Sequence, residues 1–548
     1  MPNSDVEKPP DSVELTTSAF TIDQRVHFAG DSRRIGTVKY VGPVEGYSGL
    51  WVGVDWDDGE GKHDGSVNGV CYFHAKTPKS ASFVRPHNIS AGVTVLEALE
   101  LRYKGTSTKE EEDEMYVLSA SNRRVSVQLL GKDKIQDKLS KFEELEGVSL
   151  SYLGVSSSGV PGQIGSVLLS LRRLDLTGNL LSDWKSIASI CEQLPMLSAL
   201  NLSHNKLSYD VTGLPMLKNL RIVVLNHTGV QWTQVEVLKH SLPALEELHL
   251  MGNELREITP PTSKLVQGFD SLRLLNLEDN LFEDWAEISK LSQLRSLEQL
   301  QLNNNNLKDI AYPDHDIMRT PLSGQEQLKQ GDKPFQHLCC LLLGGNNIND
   351  ISAVDSLNYF PNLVDIRLSD NPVADPGKGG VPRFVLIARL AKVQMLNGSE
   401  VSPRERKESE IRYIRLVMSK SSNLKEIQQM HPRFAELKVH HGIEDERPSS
   451  TGAAGPQKMA SGLLSVTLKC VGASIGEKPP LTKKLPATTT VGKLKLLCES
   501  FFKLKSIRPR LFLQEEGNPL PILLEDEMAS LLDFGVSNGS TILVDEEK

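Results

Sequence analysis

Residues 59–73, GEGKHDGSVNGVCYF, combine four glycines with a lysine, a histidine, an aspartate and two adjacent aromatic residues. A glycine-rich segment containing Gly-Lys could cradle phosphate, but a phosphate-binding loop requires GxxxxGK followed by Ser or Thr, between a strand and a helix. Trp56 stands where the first glycine of that pattern is needed, and His63 stands where the hydroxyl that binds magnesium is needed. The segment therefore argues against nucleotide binding.

Metal binding is a second chemistry that these residues could support, through His63, Asp64, Cys71 and His74. Adjacent side chains in a turn point in different directions, however, and this spacing does not match a tetrahedral zinc site. The six cysteines are spread over more than 400 positions without a CxxC pair. The sequence therefore predicts reduced thiols, no metal site and no bound cofactor.

The composition favours a soluble protein that binds other proteins. Hydrophobic residues make up 39% and charged residues 24% of the 548 residues, which is typical of chains that fold. The net charge of -9 argues against coating nucleic acid, since that needs an excess of Lys and Arg. Neither an apolar stretch long enough to span a bilayer nor a signal peptide is present in the sequence, so we expect no membrane partner and a cytoplasmic location. The chain carries no HExxH motif and no kinase motif set, so we do not expect an enzyme.

The chain length predicts several modules, because one core rarely needs more than about 150 residues. A strand-rich block, dense in Gly, Val, Trp and Phe, is followed by the charged connector KGTSTKEEEDE at 104–114. The predicted segments are a disordered tail (1–20), a small all-β module (21–95), a connector with the N-terminal cap of a repeat array (96–144), the repeats with their C-terminal cap (145–402), a charged helical segment with a flexible linker (403–462) and a C-terminal domain (463–548).

From Leu145 onward the sequence repeats the template LxxLxLxxNxL nine times. The repeats begin 23–27 residues apart, except for one interval of 41, and this spacing is typical of a leucine-rich repeat solenoid with α/β units. The side-chain amide of the template asparagine can satisfy backbone groups at the bend of each coil. We therefore predict a structural role for the recurring asparagines: Asn179, Asn205, Asn253, Asn280, Asn305, Asn346 and Asn371.

Three further features follow from the pattern. The long interval places an insertion at 308–337, which is either a contact site or a disordered loop. Residues flanking the inner leucines form a mixed polar and apolar concave face, which suits a broad protein interface. After the linker ERPSSTGAAGPQKMASG, residues 463–548 read as two strands, a helix and returning strands, an α+β ubiquitin-like β-grasp.

The block RIGTVKYVGPVEGYSGLWVGVDWDDGEGKHDGSVNGVCYF, followed by SFVRP at 82–86, resembles the cytoskeleton-associated glycine-rich (CAP-Gly) family. The family hallmark GKNDG is GKHDG here, so His63 replaces an asparagine. Histidine is enriched among residues with positive φ, so we expect His63 to keep the turn while changing the donors at the groove.

The resemblance implies a groove for acidic C-terminal tails that end in an aromatic residue, as on alpha-tubulin. Glycines would let backbone N–H groups approach the peptide, and Lys62 would pair with a carboxylate. Trp51, Phe73 or Phe83 could wall a pocket for the aromatic ring, whereas the alternative for Trp51 and Phe83 is a place in the core. The predicted tail-binding residues are Trp51, Gly61, Lys62, His63, Asp64, Gly65, Ser66, Phe73 and Phe83.

The order of CAP-Gly module, leucine-rich repeats and ubiquitin-like domain resembles the tubulin-folding cofactor E family. The resemblance implies a cytosolic, cytoskeleton-associated chaperone that binds alpha-tubulin and joins beta-tubulin and tubulin-folding cofactors B, C and D in assembling and dissociating the heterodimer. Two alternatives stay open: an adaptor that reads tubulin tails on the microtubule, and a ubiquitin-pathway shuttle in which the C-terminal domain binds the proteasome or other ubiquitin machinery.

Overall fold

The computed structural model describes residues 20–104, 116–118, 124–126, 140–211, 214–260, 265–313, 333–420, 424–443, 463–472, 478–486, 488–504, 508–514, 521–524, 527, 530–531, 534, 536 and 538–546. The predicted N-terminal tail, the connector at 104–114, the insertion at 308–337 and the linker at 446–462 lie wholly or mostly outside these ranges. The chain forms two compact units, and the division falls in the strand Cys340–Leu342 of the repeat array. The first unit holds Met1–Asn306 and Pro313–Leu341, and the second holds Leu307–Tyr312 and Leu342–Lys548.

A five-stranded antiparallel sheet forms the N-terminal module of the first unit. One face carries the core of the module, in which Val26, Val38, Val52, Val54 and Trp56 are at most 2% exposed. The strands of this sheet, in spatial order, are Ala81–Val84, Tyr47–Trp56, Asp31–Val44, Arg25–Phe28 and Ile89–Ser90, and a small hairpin pairs Ser66–Val67 with Val70–Cys71.

A β-bulge decides which side chains reach the other face of this sheet. Val38 pairs with Val54, but Tyr40 pairs with Gly53, so the register shifts by one residue between these pairs. Because side chains alternate along a strand, the extra residue turns Tyr40 away from the core that Val38 enters. Tyr40 therefore lies on the face that carries Trp51 and Gly53.

The N-terminal module continues directly into the repeats within the first unit. Val93–Thr94 pairs in parallel with Val155–Ser157, and the Val93 N–H donates to the Gly154 carbonyl at 2.8 Å. The helix Val95–Tyr103 begins at a capping box formed by Thr94 and Glu97. It ends at Tyr103, whose hydroxyl accepts the Ser149 N–H at 3.1 Å and so ties the helix to the first repeat. Beyond it, Tyr116–Leu118 pairs antiparallel with Arg124–Ser126, and Phe142–Glu144 forms a 3-10 turn.

Each of the nine predicted repeats contributes a three-residue strand, which confirms the leucine-rich array. In the first unit the strands pair in parallel and in register from Gly147–Ser149 through Gln299–Gln301. The nine strands are Gly147–Ser149, Arg173–Asp175, Ala199–Asn201, Ile222–Val224, Glu247–His249, Leu274–Asn276, Gln299–Gln301, Cys340–Leu342 and Asp365–Arg367.

The predicted role of the template asparagines is confirmed, since all seven are at most 4% exposed. Asn179 shows the pattern: its Nδ2 donates to the carbonyls of Leu150 and Leu176, both at 2.9 Å, and its Oδ1 accepts the N–H groups of Leu153 and Val155. The side chain thus joins one coil to the next. In the one repeat that has Thr228 instead, the hydroxyl donates to Leu225 and lies buried at the same place.

Short helices cover the outer side of the array. Asp183, Asp284 and Asp350 each cap the N-terminus of a helix by accepting a backbone N–H two or three residues later. Capping is favoured because the first N–H groups of a helix have no partner inside it. The helices are Gln163–Val167, Trp184–Glu192, Trp232–Leu238, Trp285–Ser289 and Ile351–Ser356, with 3-10 turns at Leu357–Tyr359, Pro372–Ala374 and Pro376–Lys378.

The cap in the second unit combines strand pairing with a helical core. Met395–Leu396 extends the sheet from Asp365–Arg367 and then pairs with Ser399–Glu400. The predicted charged segment is helical over Pro403–Lys420, Leu424–Met430 and Phe434–His440, and it shares a buried cluster with the helix Arg383–Arg389. The predicted boundary at 402 thus falls between helices that pack together, and the segment boundaries drawn from the sequence stay predictions.

The C-terminal domain is the predicted β-grasp. Its helix Val491–Phe502 packs Val491, Leu494 and Cys498 into a core with the inner side chains of the sheet. The strands, in spatial order, are Leu481–Pro486, Leu463–Cys470, Thr541–Glu546, Pro509–Gln514 and Ile522–Leu523. Among the described residues, no helix is both long and apolar enough to cross a membrane.

Candidate functional site

An aromatic cluster covers the face of the N-terminal sheet opposite the core. Phe83 lies at its centre, with its ring centroid 5.4 Å from Tyr72, 5.5 Å from Phe73, 6.1 Å from Tyr40 and 6.1 Å from His63. Most of these pairs are edge-to-face, the arrangement that aromatic quadrupoles favour. Phe83 is half-buried, so the cluster remains accessible at its surface.

Glycine and two fixed hydroxyl groups hold this cluster in shape. A Cβ at Gly53 would lie 2.3 Å from the Phe73 ring, so only glycine leaves room for that ring against the strand. The Tyr40 hydroxyl donates to the Pro43 carbonyl at 2.6 Å, and the Tyr72 hydroxyl accepts the Glu45 N–H at 2.8 Å. Burial, together with the neighbouring Tyr72, raises the pKa of Tyr40. The rings therefore form a fixed aromatic surface.

Trp51 lies on the same face but beneath a cation. The Arg85 guanidinium is centred 3.8 Å from the Trp51 ring and donates to the Leu50 carbonyl at 3.1 Å, while Tyr47 meets the ring edge at 5.9 Å. Of the two alternatives raised by the sequence for Trp51 and Phe83, the core is the wrong one, because Val52, Val54 and Trp56 fill the core from the opposite face. Phe73, in contrast, is 9% exposed and supports the cluster from below.

The segment Gly61–Gly65 is held against the strand Ala81–Val84. The N–H groups of Lys62 and His63 both donate to the Ala81 carbonyl, at 2.7 and 2.9 Å, and the Ala81 N–H donates back to His63. A Cβ at Gly61 would lie 2.3 Å from that carbonyl, so the close approach requires glycine. His63 pairs with Ala81 as an isolated antiparallel bridge, and the expectation of positive φ at His63 is wrong.

A sharp turn follows at Asp64, Gly65 and Ser66. Asp64 Oδ1 accepts the Ser66 N–H at 2.9 Å, and this hydrogen bond is the main cause of the lowered pKa of Asp64. Gly65 has φ +99°, and a Cβ there would lie 1.9 Å from the Phe73 carbonyl. The positive φ and the missing Cβ of Gly65 therefore decide the path of this loop.

The loop offers side-chain donors rather than the backbone donors expected from its glycines. The N–H groups of Gly61, Lys62, His63 and Ser66 all donate to acceptors within the module. Lys62 itself is exposed, and the described ion pairs of the module use other cations: Arg25 with Asp57, Arg34 with Asp58 and Lys39 with Asp23. An exposed lysine in the loop that pairs with the strand of Phe83 fits a carboxylate that accompanies an aromatic ring.

The aromatic face holds Trp51, Phe73 and Phe83, and the ring of His63 contacts it from the loop. Tyr40, Tyr72 and Arg85 lie there too and were missed as site residues, although all three belong to the quoted motif segments. The two-residue alternation of a strand would have placed Tyr40 in the core with Val38, and only the bulge moves it to the site.

The candidate metal ligands His63, Asp64, Cys71 and His74 do not come together as a site. Within the described part of the chain, one group could share a cation, formed by Glu410, His440 and His441. Glu410 already pairs with His441 at 2.8 Å and has Arg406 and Arg433 within 4 Å. Two guanidinium groups so close to the carboxylate disfavour a bound cation.

Comparison with known proteins agrees with this geometry. The family model "CAP-Gly domain" matches residues 22–89, which span the module and the aromatic face. The fold and the site together define a multidomain protein with a CAP-Gly module, a leucine-rich repeat array and a ubiquitin-like domain.

Relatives extend the match to the whole chain. It is 63% identical to a tubulin-folding cofactor E of Arabidopsis thaliana over 97% of this chain and 99% of that protein, and 31% identical to a tubulin-specific chaperone E of Xenopus laevis over 93% and 96%. A solution structure of the C-terminal ubiquitin-like domain of mouse tubulin-specific chaperone e matches 17% of this chain and 96% of its own at 28% identity, with a TM-score of 0.15. This chain belongs to the tubulin-folding cofactor E family.

Proposed function

We propose that this protein is a non-enzymatic cytosolic chaperone that holds alpha-tubulin by its acidic C-terminal tail. In this proposal it acts with tubulin-folding cofactors B, C and D and with beta-tubulin in assembling and dissociating the tubulin heterodimer. The observation that carries the proposal is the aromatic cluster around Phe83, together with the exposed Lys62 in the loop that pairs with the same strand. The names of the full-length relatives support tubulin as the client.

The groove residues have different roles in the proposed binding of such a tail. The half-buried ring of Phe83, with Tyr72 and Tyr40 beside it, offers edges and faces to a terminal aromatic ring. Lys62 supplies a charge for a carboxylate, and the imidazole of the next residue, His63, lies 6.1 Å from the Phe83 ring centroid. Gly61, Asp64, Gly65 and Ser66 shape the loop, Phe73 supports the pocket, and Arg85 over Trp51 borders it.

The test is fluorescence anisotropy with the full chain and a labelled peptide that carries the alpha-tubulin tail. We expect Lys62→Ala to weaken binding by about fivefold to tenfold, the scale of one charge-assisted contact at a groove. Lys206→Ala is the matched control, because Lys206 is also exposed but lies on a repeat. Equal affinity of both variants for the peptide, or equal affinity of the wild-type chain for tubulin with and without its tail, would overturn tail capture.

A sedimentation assay separates this proposal from the adaptor reading. A chaperone of soluble tubulin stays in the supernatant with its client or dissolves the polymer, whereas an adaptor pellets with microtubules. We also propose that the ubiquitin-like domain is a docking domain for another cofactor or for the protein-degradation machinery. Deletion of residues 463–548 followed by a pull-down from cytosol would identify which partners depend on it.

A further inference from the structure

The N-terminal sheet module and the first repeat meet at a close backbone contact between Gly92 and Gly154, named the seam here. Gly92 has φ +93° and Gly154 has φ +74°. A Cβ at Gly92 would lie 2.3 Å from the Gly154 carbonyl oxygen and 2.9 Å from Leu180 Cδ1. On the other side, a Cβ at Gly154 would lie 2.7 Å from His27 Nε2. Only glycine fits at Gly92, because the nearest clashing atom is backbone.

A second segment of the module contacts the first repeat beside the seam. The Ser32 hydroxyl donates to the Tyr152 carbonyl, and the Arg33 guanidinium is centred 5.2 Å from the Tyr152 ring. The same ring covers Gly178 of the second repeat, where an added Cβ would lie 2.1 Å from it. Because Ser32 and Gly92 are far apart in the sequence, the module is attached to the array at two places, which restricts its rotation.

The helix Val95–Tyr103 leads from the seam to the concave side of the array. Its side chains Val95 and Leu99 are fully buried, so the helix is a fixed part of the first unit. Tyr103, at its end, lines an apolar cavity of about 380 Å³ on the strands of the first four repeats. The apolar residues of the strands that line this cavity include Ala199, Ile222 and Val224.

The aromatic face of the module and this concave cavity are within reach of one folded protein, and both belong to the first unit. The ten peptide units from Phe83 to Val93 span at most about 35 Å, and the helix Val95–Tyr103 is about 13 Å long. A folded protein of about 300 residues is about 50 Å across. Because the seam fixes the module on the array, the two surfaces keep one position relative to each other.

We propose that the seam positions the aromatic face and the concave cavity so that a single client occupies both, with its tail on the aromatic face and its folded body over the cavity. The proposal rests on the proposed function, because it takes this client to be the alpha-tubulin that is held by its tail. Gly92, Gly154 and Tyr152 are positioning residues in this arrangement. Two linked contacts bind more tightly than either one alone, because the second contact forms at the high effective concentration that the first one sets.

The experiment compares Gly92→Ala with Gly30→Ala in the full chain. Gly30 also has φ +93°, but no atom lies within 4 Å of an added Cβ, so the two variants share the backbone strain and differ at the seam. We expect Gly92→Ala to bind the tubulin heterodimer about tenfold more weakly than the wild-type chain, since the fixed geometry is lost. Its affinity for the labelled tail peptide should be unchanged, and Gly30→Ala should keep both affinities.

Amide hydrogen exchange shows whether the seam has opened. The Val93 N–H donates to the Gly154 carbonyl at 2.8 Å, so it should exchange faster in Gly92→Ala than in Gly30→Ala. Tyr152→Asn is a second variant for the case that Gly92→Ala does not fold, since asparagine suits the positive φ of 57° there. It removes the ring from Arg33 and Gly178, and we expect the same pattern with about threefold weaker binding of the heterodimer.

Two results would overturn the role of the seam. One is wild-type affinity for the heterodimer in a variant whose Val93 N–H exchanges faster. The other is a wild-type chain that binds the heterodimer no more tightly than it binds the tail peptide. A wild-type chain that does not bind the tail peptide would contradict the proposed tail capture instead.

Discussion

The asparagine column of the repeat array and the loop Gly61–Gly65 use small polar residues for opposite purposes. Both place backbone at positive φ, at His204 and His227 beside the column and at Gly65 in the loop. The asparagines turn every donor and acceptor inward and are at most 4% exposed, whereas the loop satisfies its backbone internally and presents Lys62 outward. Polar groups that are fully satisfied inside the chain stabilise it, and those left facing solvent are available to a partner.

Removing one asparagine amide should have the largest effect on stability. Asn280 donates to the Leu250 and Leu277 carbonyls and accepts the N–H groups of Asn253 and Leu255, all at 3.0 Å. Asn280→Ala leaves several buried groups unpaired, so we expect a loss of about 3–5 kcal/mol in the unfolding free energy of the array. Urea unfolding followed by circular dichroism measures this loss of unfolding free energy. Unchanged affinity for the tail peptide would show that the asparagines stabilise the array without shaping the groove.

A Cβ in the loop should affect the groove more than the array. Gly65→Ala places a methyl group against the Phe73 carbonyl at positive φ, and we expect a local loss of about 2–3 kcal/mol and at least tenfold weaker peptide binding. Gly59→Ala is the control, because Gly59 has φ +73° but no atom within 4 Å of an added Cβ. Equal peptide affinities of the two variants would show that the path of the loop does not shape the groove.

Loss of a helix cap in the array should lower the stability moderately and leave peptide binding unchanged. Asp183 accepts both the N–H and the hydroxyl of Ser186, each at 2.8 Å. Asp183→Ala should lower the unfolding free energy by about 1 kcal/mol, and Asp183→Ser should restore most of it. A change in peptide binding by either variant would contradict the separation between the structural polar groups of the array and the binding groups of the loop.

The smallest effect should come from the stacked histidines beside the asparagine column. His204 and His227 lie parallel with ring centroids 4.7 Å apart, and burial followed by repulsion from His227 lowers the pKa of His204. Because the unfolded chain binds this proton more readily than the folded chain, stability should fall as the pH drops below about 6.5 toward the lowered pKa of His204.

His204→Asn, which suits the positive φ there, should flatten this decline in melting temperature between pH 7 and pH 5. The change should be no more than about 1–2 °C. His87→Asn changes an exposed histidine of the N-terminal module and is the control. An equally steep decline in the His204→Asn variant would show that the stack does not titrate.

The parts of the molecule that could be predicted from the sequence are those in which the local residue pattern also sets the environment of each residue in the fold. The nine template copies predicted the nine strands and the buried asparagines, because each leucine or asparagine meets the same environment in every coil. The conformation of His63 was not predictable, since its extended bridge depends on a hydrogen-bonding partner, Ala81, that lies 18 residues away.

The site shows the same division. Its hallmark residues stand next to one another in the sequence, so the position of the loop was evident. The stacking of Arg85 on Trp51 was not, because it requires two strands to pair in one register.

The sequence by itself determined the order of three modules, the repeat period and the segment that carries Lys62. These features follow from residue types at short, regular spacing. Only the tertiary structure decided that Tyr40 leaves the core for the aromatic face and that the loop N–H groups are already occupied. The physical reason is that strand register, bulges and loop contacts are settled by packing between residues far apart in the chain.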